Sequence, residues 1–159
     1  MEVFEAEFRQ LEEALRRLRH DSNAKAVFLI DKNGQHIAAA GEIEDFDSTS
    51  LASLTAGNVA ATDGLAKLIG EREFSVLVHE GQRDHIHISI VARRAILLVI
   101  FDERSSLGLV RLRVKRASAE LEKVFDTMTE KSTRDTEGAT EPSPFSEITD
   151  EDIDALFSE

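Results

Sequence analysis

Apolar residues recur along the chain in two periods, and the switches between those periods mark out the elements. From Glu2 to His20, Phe4, Phe8, Leu11, Leu15 and Leu18 are spaced by three and four, which predicts an amphipathic helix. Asp21, Ser22 and Asn23 break the pattern. The run AKAVFLID (Ala24 to Asp31) is short, apolar and partly β-branched, the composition of a buried strand. Lys32, Asn33 and Gly34 then turn the chain, Asn-Gly suiting the positive φ angles of a type I′ hairpin, into a return strand over Gln35 to Gly41. An acidic loop, EIEDFD, leads to a second helix with Ser48 or Thr49 as its cap. It runs through SLASLTAGNVAATDGLAKLIGE and stops near Gly70, with Leu51, Leu54, Leu65, Leu68 and Ile69 as expected anchors on the sheet.

Three strands follow. The first is Glu73 to Glu80, turned by Gly81 to Asp84. The second, His85 to Ala92, alternates with period two and puts Ile86, Ile88 and Ile90 on one face. Arg93 and Arg94 make a tight turn into Ala95 to Asp102, apolar throughout and therefore a central strand covered on both faces. A third helix starts near Ser105 or Ser106 and runs to about Lys131, with Leu107, Val110, Val114, Leu121, Phe125 and Met128 along one stripe. The order helix, two strands, helix, three strands, helix predicts an α+β domain over residues 1–131. Its core is a five-stranded antiparallel sheet with helices on both faces. Residues 132–141 read as a flexible linker poor in apolar side chains, and 142–159 as an acidic tail containing a short helix.

Charge sharpens this division. The chain of 159 residues carries a formal charge of -12, but Asp135 to Glu159 hold nine acids and no Lys or Arg. The rest of the chain holds 22 acids against all 19 basic residues, a net of only -3. Such a chain repels phosphates, so no nucleic-acid partner is expected. There is no cysteine, which excludes disulfides and thiolate chemistry. No signal-like start and no apolar run of about 20 residues is present, so the expected location is cytoplasmic with no membrane partner.

Chemistry-bearing motifs are scarce. A phosphate-binding glycine loop, a nucleophile elbow and a His-Glu-x-x-His pair are all missing, and no cofactor or metal is expected. His85 and His87, two apart on one strand, with His79 on the strand before, are too thin a basis for a metal site without cysteines, and they read as exposed strand histidines. Arg111, Arg113, Lys115 and Arg116 form a basic cluster. It reads first as a solvated face, with a phosphate or acidic-partner site and pairing with the protein's own tail as the alternatives.

The second helix and the tail are more informative. One face of that helix carries Ser53, Ala56, Gly57, Ala60, Gly64 and Lys67. Two internal glycines cost a helix about 1 kcal/mol each relative to alanine. They serve close packing on the domain's own sheet, close approach by another chain, or both on opposite sides. In the tail, Phe145, Ile148, Ile153, Leu156 and Phe157 form a small apolar stripe among acids. Such a short helix is marginal alone in water, so it either docks in a partner's groove or folds back on its own domain.

The element order together with the strings DKNGQ, TSLASLTAGNVAA followed by GLAKLIGE, VIFDERSSLGLVRLRVKRAS and PFSEITDEDIDALFSE resembles the Roadblock family of small dimeric platforms. The likeness is to its bacterial members that partner a Ras-like small GTPase in cell polarity and motility. The resemblance implies a homodimer whose strands pair across the two-fold axis, and a GTPase-binding platform made of Ser53, Ala56, Gly57, Ala60, Ala61, Gly64 and Lys67. It implies stimulated GTP hydrolysis through hold on the GTPase's switch regions, without an inserted arginine. The tail contacts Phe145, Ile148, Ile153, Leu156 and Phe157 are implied to favour binding or nucleotide exchange, and a cell pole is the implied site of action. The protein is then a regulator and not itself an enzyme. Two alternatives stand beside this reading: a docking platform that leaves nucleotide turnover unchanged, and a small-molecule sensor, for which the sequence shows no convergent polar pocket.

Overall fold

The computed structural model describes residues 4–137, with side chains through residue 133. The elements follow the expected order: α1 (Glu5–Ser22), β1 (Ala26–Asp31), β2 (His36–Gly41), α2 (Ser48–Leu68), β3 (Val76–Glu80), β4 (His85–Val91), β5 (Ala95–Phe101) and α3 (Leu107–Glu137). Residues through Phe125 form one compact unit. The described part of a second, from Asp126, is the C-terminal stretch of α3, which continues past Lys131 to Glu137.

The five strands form one antiparallel sheet in the order β2-β1-β5-β4-β3. β5 lies at its centre and is buried at every position, as its unbroken apolar run requires. Register carries single rows of side chains across the sheet. Leu77, Ile88, Leu98, Phe28 and Ala39 stand opposite one another on one face, and Val78, His87, Val99, Val27 and Ala40 on the other. The first face carries the cluster of Ala26, Phe28, Ile30, Ile88, Ile96, Leu98 and Ile100 that receives α2 through Ala52, Ala56 and Val59. Ile86 and Ile90 border this cluster, as the period-two alternation predicts. α1 and α3 cover the opposite face, burying Leu11, Leu15, Leu18, Val110, Val114 and Leu121, with an Arg17–Glu120 ion pair between them. Phe8, assigned to the α1 stripe from its spacing, is 41% exposed.

The turns depart from expectation in instructive ways. The β1–β2 connection is not a type I′ turn, because only Gly34 has positive φ (90°). The Gly34 amide donates to the Asp31 carbonyl, and the Asp31 carboxylate accepts from the amides of Asn33 and Gln35. This is a type I turn closed by a left-handed glycine, a three-residue solution in which an aspartate side chain replaces one strand-like partner. The type I′ geometry appears instead at β4–β5. Its central residues are Ala92 and Arg93 (φ 54° and 58°), one position earlier than Arg93 and Arg94, and the Arg94 amide closes it onto the Val91 carbonyl.

Candidate partner-binding surface

α2 is held in place at both ends by its own sequence. Its cap is Asp47, whose carboxylate accepts from the Ser50 amide and hydroxyl, one residue before the expected cap. The Ser50 hydroxyl bond holds the Asp47 carboxyl below its ordinary pKa, with the Ser50 amide adding to the effect. At the other end Gly70 (φ 83°) lets the chain turn back. Its amide donates to the Lys67 carbonyl and the Glu71 amide to the Ala66 carbonyl, the paired bonds of a glycine-terminated helix. Between these stops Asn58 reaches His79 on β3 at 3.2 Å, tying the helix to the edge strand of the sheet.

The inward line of α2 is made of Ala52, Thr55, Ala56, Val59 and Ala66. The leucines do not anchor the helix. Leu54, Leu65, Leu68 and Ile69 are 74%, 60%, 83% and 69% exposed, and only Leu51 packs against the core cluster. The reason is angular. At about 100° per residue, Leu54, Ala61, Leu65 and Leu68 fall on the line opposite Ala52, Ala56 and Val59. Small inward residues bring the helix backbone close to the sheet and leave the large aliphatic ones facing out.

Of the residues expected to form the platform, Ser53, Gly57, Ala60, Ala61, Gly64 and Lys67 are exposed. Ala56 is not among them in space: it is buried in the cluster beneath the helix, four residues and about one turn from exposed Ala60. Among the described residues, a Cβ placed on Gly57 or Gly64 meets nothing within 4 Å, so packing against them does not require either glycine. The outer surface of α2 is thus a shallow small-residue strip beside a line of large aliphatic side chains. Lys67 is the only basic residue in the helix. The sequence reading missed Leu54, Leu65 and Leu68 as surface residues. The signal that finds them is the helical spacing of the small residues, which defines the inward line.

Phe145, Ile148, Ile153, Leu156 and Phe157 lie outside the described residues. Among the described residues no group of three His, Asp or Glu side chains is placed to hold a metal ion, and no helix is long and apolar enough to cross a membrane. His87 is buried, not exposed as expected for a strand histidine, and burial together with the Arg111 charge lowers its pKa below the ordinary histidine value.

A three-layer α+β unit with one helix alone on one sheet face, and large aliphatic side chains exposed on that helix, has the architecture of a Roadblock domain. Residues 10–101 match the Roadblock/LC7 domain, and the chain belongs to that family. Within it the chain is MglB-like. It is 58% identical to Myxococcus xanthus MglB, covering 77% of this chain and 92% of that one at a TM-score of 0.75. The gliding protein MglB of Thermus thermophilus is 35% identical (75% and 90% covered, TM-score 0.71). An MglB with a tetrameric arrangement is 34% identical (75% and 90% covered, TM-score 0.70). Among curated proteins none matches the sequence.

Proposed function

We propose that this protein is a homodimeric regulator of a Ras-like small GTPase of the MglA type. The GTPase docks on the outer surface of α2, from Ser53 to Lys67, and its GTP hydrolysis is accelerated by the hold on its switch regions. The observation that carries this reading is the two-sided apolarity of α2. A helix apolar on both sides is normally covered on both sides, and here the sheet covers only one. Exposed Leu54, Leu65 and Leu68 supply contact area, and Gly57, Ala60 and Gly64 admit a second backbone closely. β3 is an edge strand with Val76 42% exposed, which suits pairing with a second copy beside the same helix. α2 contains no arginine, which supports activation by repositioning the GTPase's own groups instead of by an inserted guanidinium. The segment 142–159, with Phe145, Ile148, Ile153, Leu156 and Phe157 as contacts, adds affinity or promotes nucleotide exchange. The protein acts in the cytoplasm at a cell pole, in polarity and motility.

The test is single-turnover GTP hydrolysis by a Ras-like small GTPase of the MglA type, with and without the chain. Stimulation by the native chain and its loss in Gly64→Arg and Leu65→Asp, with both variants folded, are the expected results. Binding without any change in turnover leaves a docking platform, and unimpaired stimulation by both variants refutes the α2 assignment. Deleting residues 142–159 is expected to slow nucleotide exchange or weaken binding while sparing much of the hydrolysis stimulation.

A further inference from the structure

On the sheet face away from α2, a groove of about 450 Å³ opens between β4, the start of β3 and the N-terminal half of α3. Its floor holds two polar side chains that are almost wholly buried, His87 at 1% and Ser89 at 5% exposure. Neither the His87 Nδ1 nor the Ser89 Oγ has a hydrogen-bond partner among the described residues. A buried polar atom left unpaired is costly, so two of them side by side on one strand face call for something that pairs them. At the rim stand Arg111 and Lys115, one helical turn apart on α3 and both exposed. Neither forms an ion pair among the described residues. Val76 and Val114 make apolar walls. Water can pair the hydroxyl and the imidazole, but it makes no use of the apolar walls or of the two cations at the rim.

We propose that this groove is a binding site for a small organic anion. The apolar body lies against Val76 and Val114, the anionic head sits between Arg111 and Lys115, and a polar group on the body pairs with Ser89 and His87. The volume falls in the range of about 300–1,000 Å³ that small-molecule sites occupy. The cations fix the sign of the ligand's charge, and His87, held neutral by its burial and by Arg111, is free to donate or accept at its ring. The site lies on the sheet face opposite α2, so it does not draw on the proposed GTPase-binding surface, although its Val76 wall stands on the edge strand proposed to pair with a second copy.

The experiment uses the full chain and an aryl sulfonate, 8-anilinonaphthalene-1-sulfonate, as the anionic probe. Fluorescence titration is combined with side-chain imidazole NMR. Saturable binding at one site per chain is expected, with displacement of the His87 ring resonances and none at His79 on the α2 side. Arg111→Gln combined with Lys115→Gln should weaken binding at least tenfold. Ser118→Trp, which fills the groove from α3, should abolish it. Equal affinity in both variants overturns the proposal. So does probe binding that leaves His87 unmoved, which places the dye on the exposed leucines of α2. A change of oligomeric state in the double variant with probe binding unaltered also overturns it, and assigns the groove to a second copy of the chain.

Discussion

Replacing Gly57 and Gly64 by alanine separates what α2 does for its own domain from what it does for another chain. Both glycines are inside the helix, and a Cβ at either position meets no atom within 4 Å. Alanine is favoured over glycine in a helix interior by about 1 kcal/mol. The two sites are two turns apart, on the order of 10 Å along the axis, so their effects add. The double variant should therefore gain about 2 kcal/mol, raising the melting temperature by roughly 4–8 °C for a chain of this size. The same two methyl groups fall on the strip proposed to admit a partner backbone. Overpacking a closely fitted contact costs about 1–3 kcal/mol, which is roughly 5–150-fold in Kd. The assay pairs urea denaturation at several protein concentrations with calorimetric titration of the GTPase. A more stable chain that binds more weakly is the expected result. Unchanged affinity in the stabilised variant refutes the claim that the glycines are kept for close approach. If the gain in stability is seen only on dilution, the methyls are blocked by a second copy of the chain and not by the GTPase.

Three further outcomes follow from the geometry. Ala60→Arg should fold with unchanged stability while abolishing GTPase binding, whereas Ala56→Arg, four residues away in the core, should unfold the domain; circular dichroism melts on the pair check this. His87, with a folded-state pKa below its unfolded value near 6.5, takes up protons more readily when unfolded. Stability should therefore hold above about pH 7 and fall as pH drops through 6.5, by at most about 1.4 kcal/mol per unit. His87→Leu should flatten this dependence between pH 7.5 and 5.5, a window above that in which Asp47 and Asp102, whose pKa values are lowered, lose their contributions. Ala92→Asn with Arg93→Gly relieves two non-glycine residues at positive φ and should stabilise the domain by about 1–2 kcal/mol in urea titrations, since each left-handed side chain costs on that order.

Much of the architecture is legible in the chain because the sheet obeys simple periods. The unbroken apolar run from Ala95 to Phe101 is the central strand, and the alternation of Ile86, Ile88 and Ile90 identifies the α2-facing side of β4. Less legible are features that depend on partners distant in sequence or on special backbone geometry. Asn33-Gly34 looks like a type I′ turn, yet the Asp31 carboxylate, outside that dipeptide, favours another closure. Ala92-Arg93 carries no glycine or asparagine to announce its positive φ angles. The groove over His87 and Ser89 exists only once α3 crosses β4, and no local pattern on either element foretells it.

The misassigned leucines of α2 teach the larger point. Residue hydropathy says that Leu54, Leu65 and Leu68 belong inside, and in a solitary domain that rule serves well. Here the inward line is taken by Ala52, Thr55, Ala56, Val59 and Ala66, which let the helix sit close on Phe28, Ile88 and Leu98. Putting the leucines inward would lift the helix from the sheet and expose those strand residues. The sequence thus places its large aliphatic side chains on the outside of a helix whose inside is already filled. That arrangement costs solubility unless a second surface covers it, and a platform that gains stability when occupied needs such a face. The burial pattern of one helix, and not the fold as a whole, is therefore what favours the proposed docking role over a self-sufficient domain.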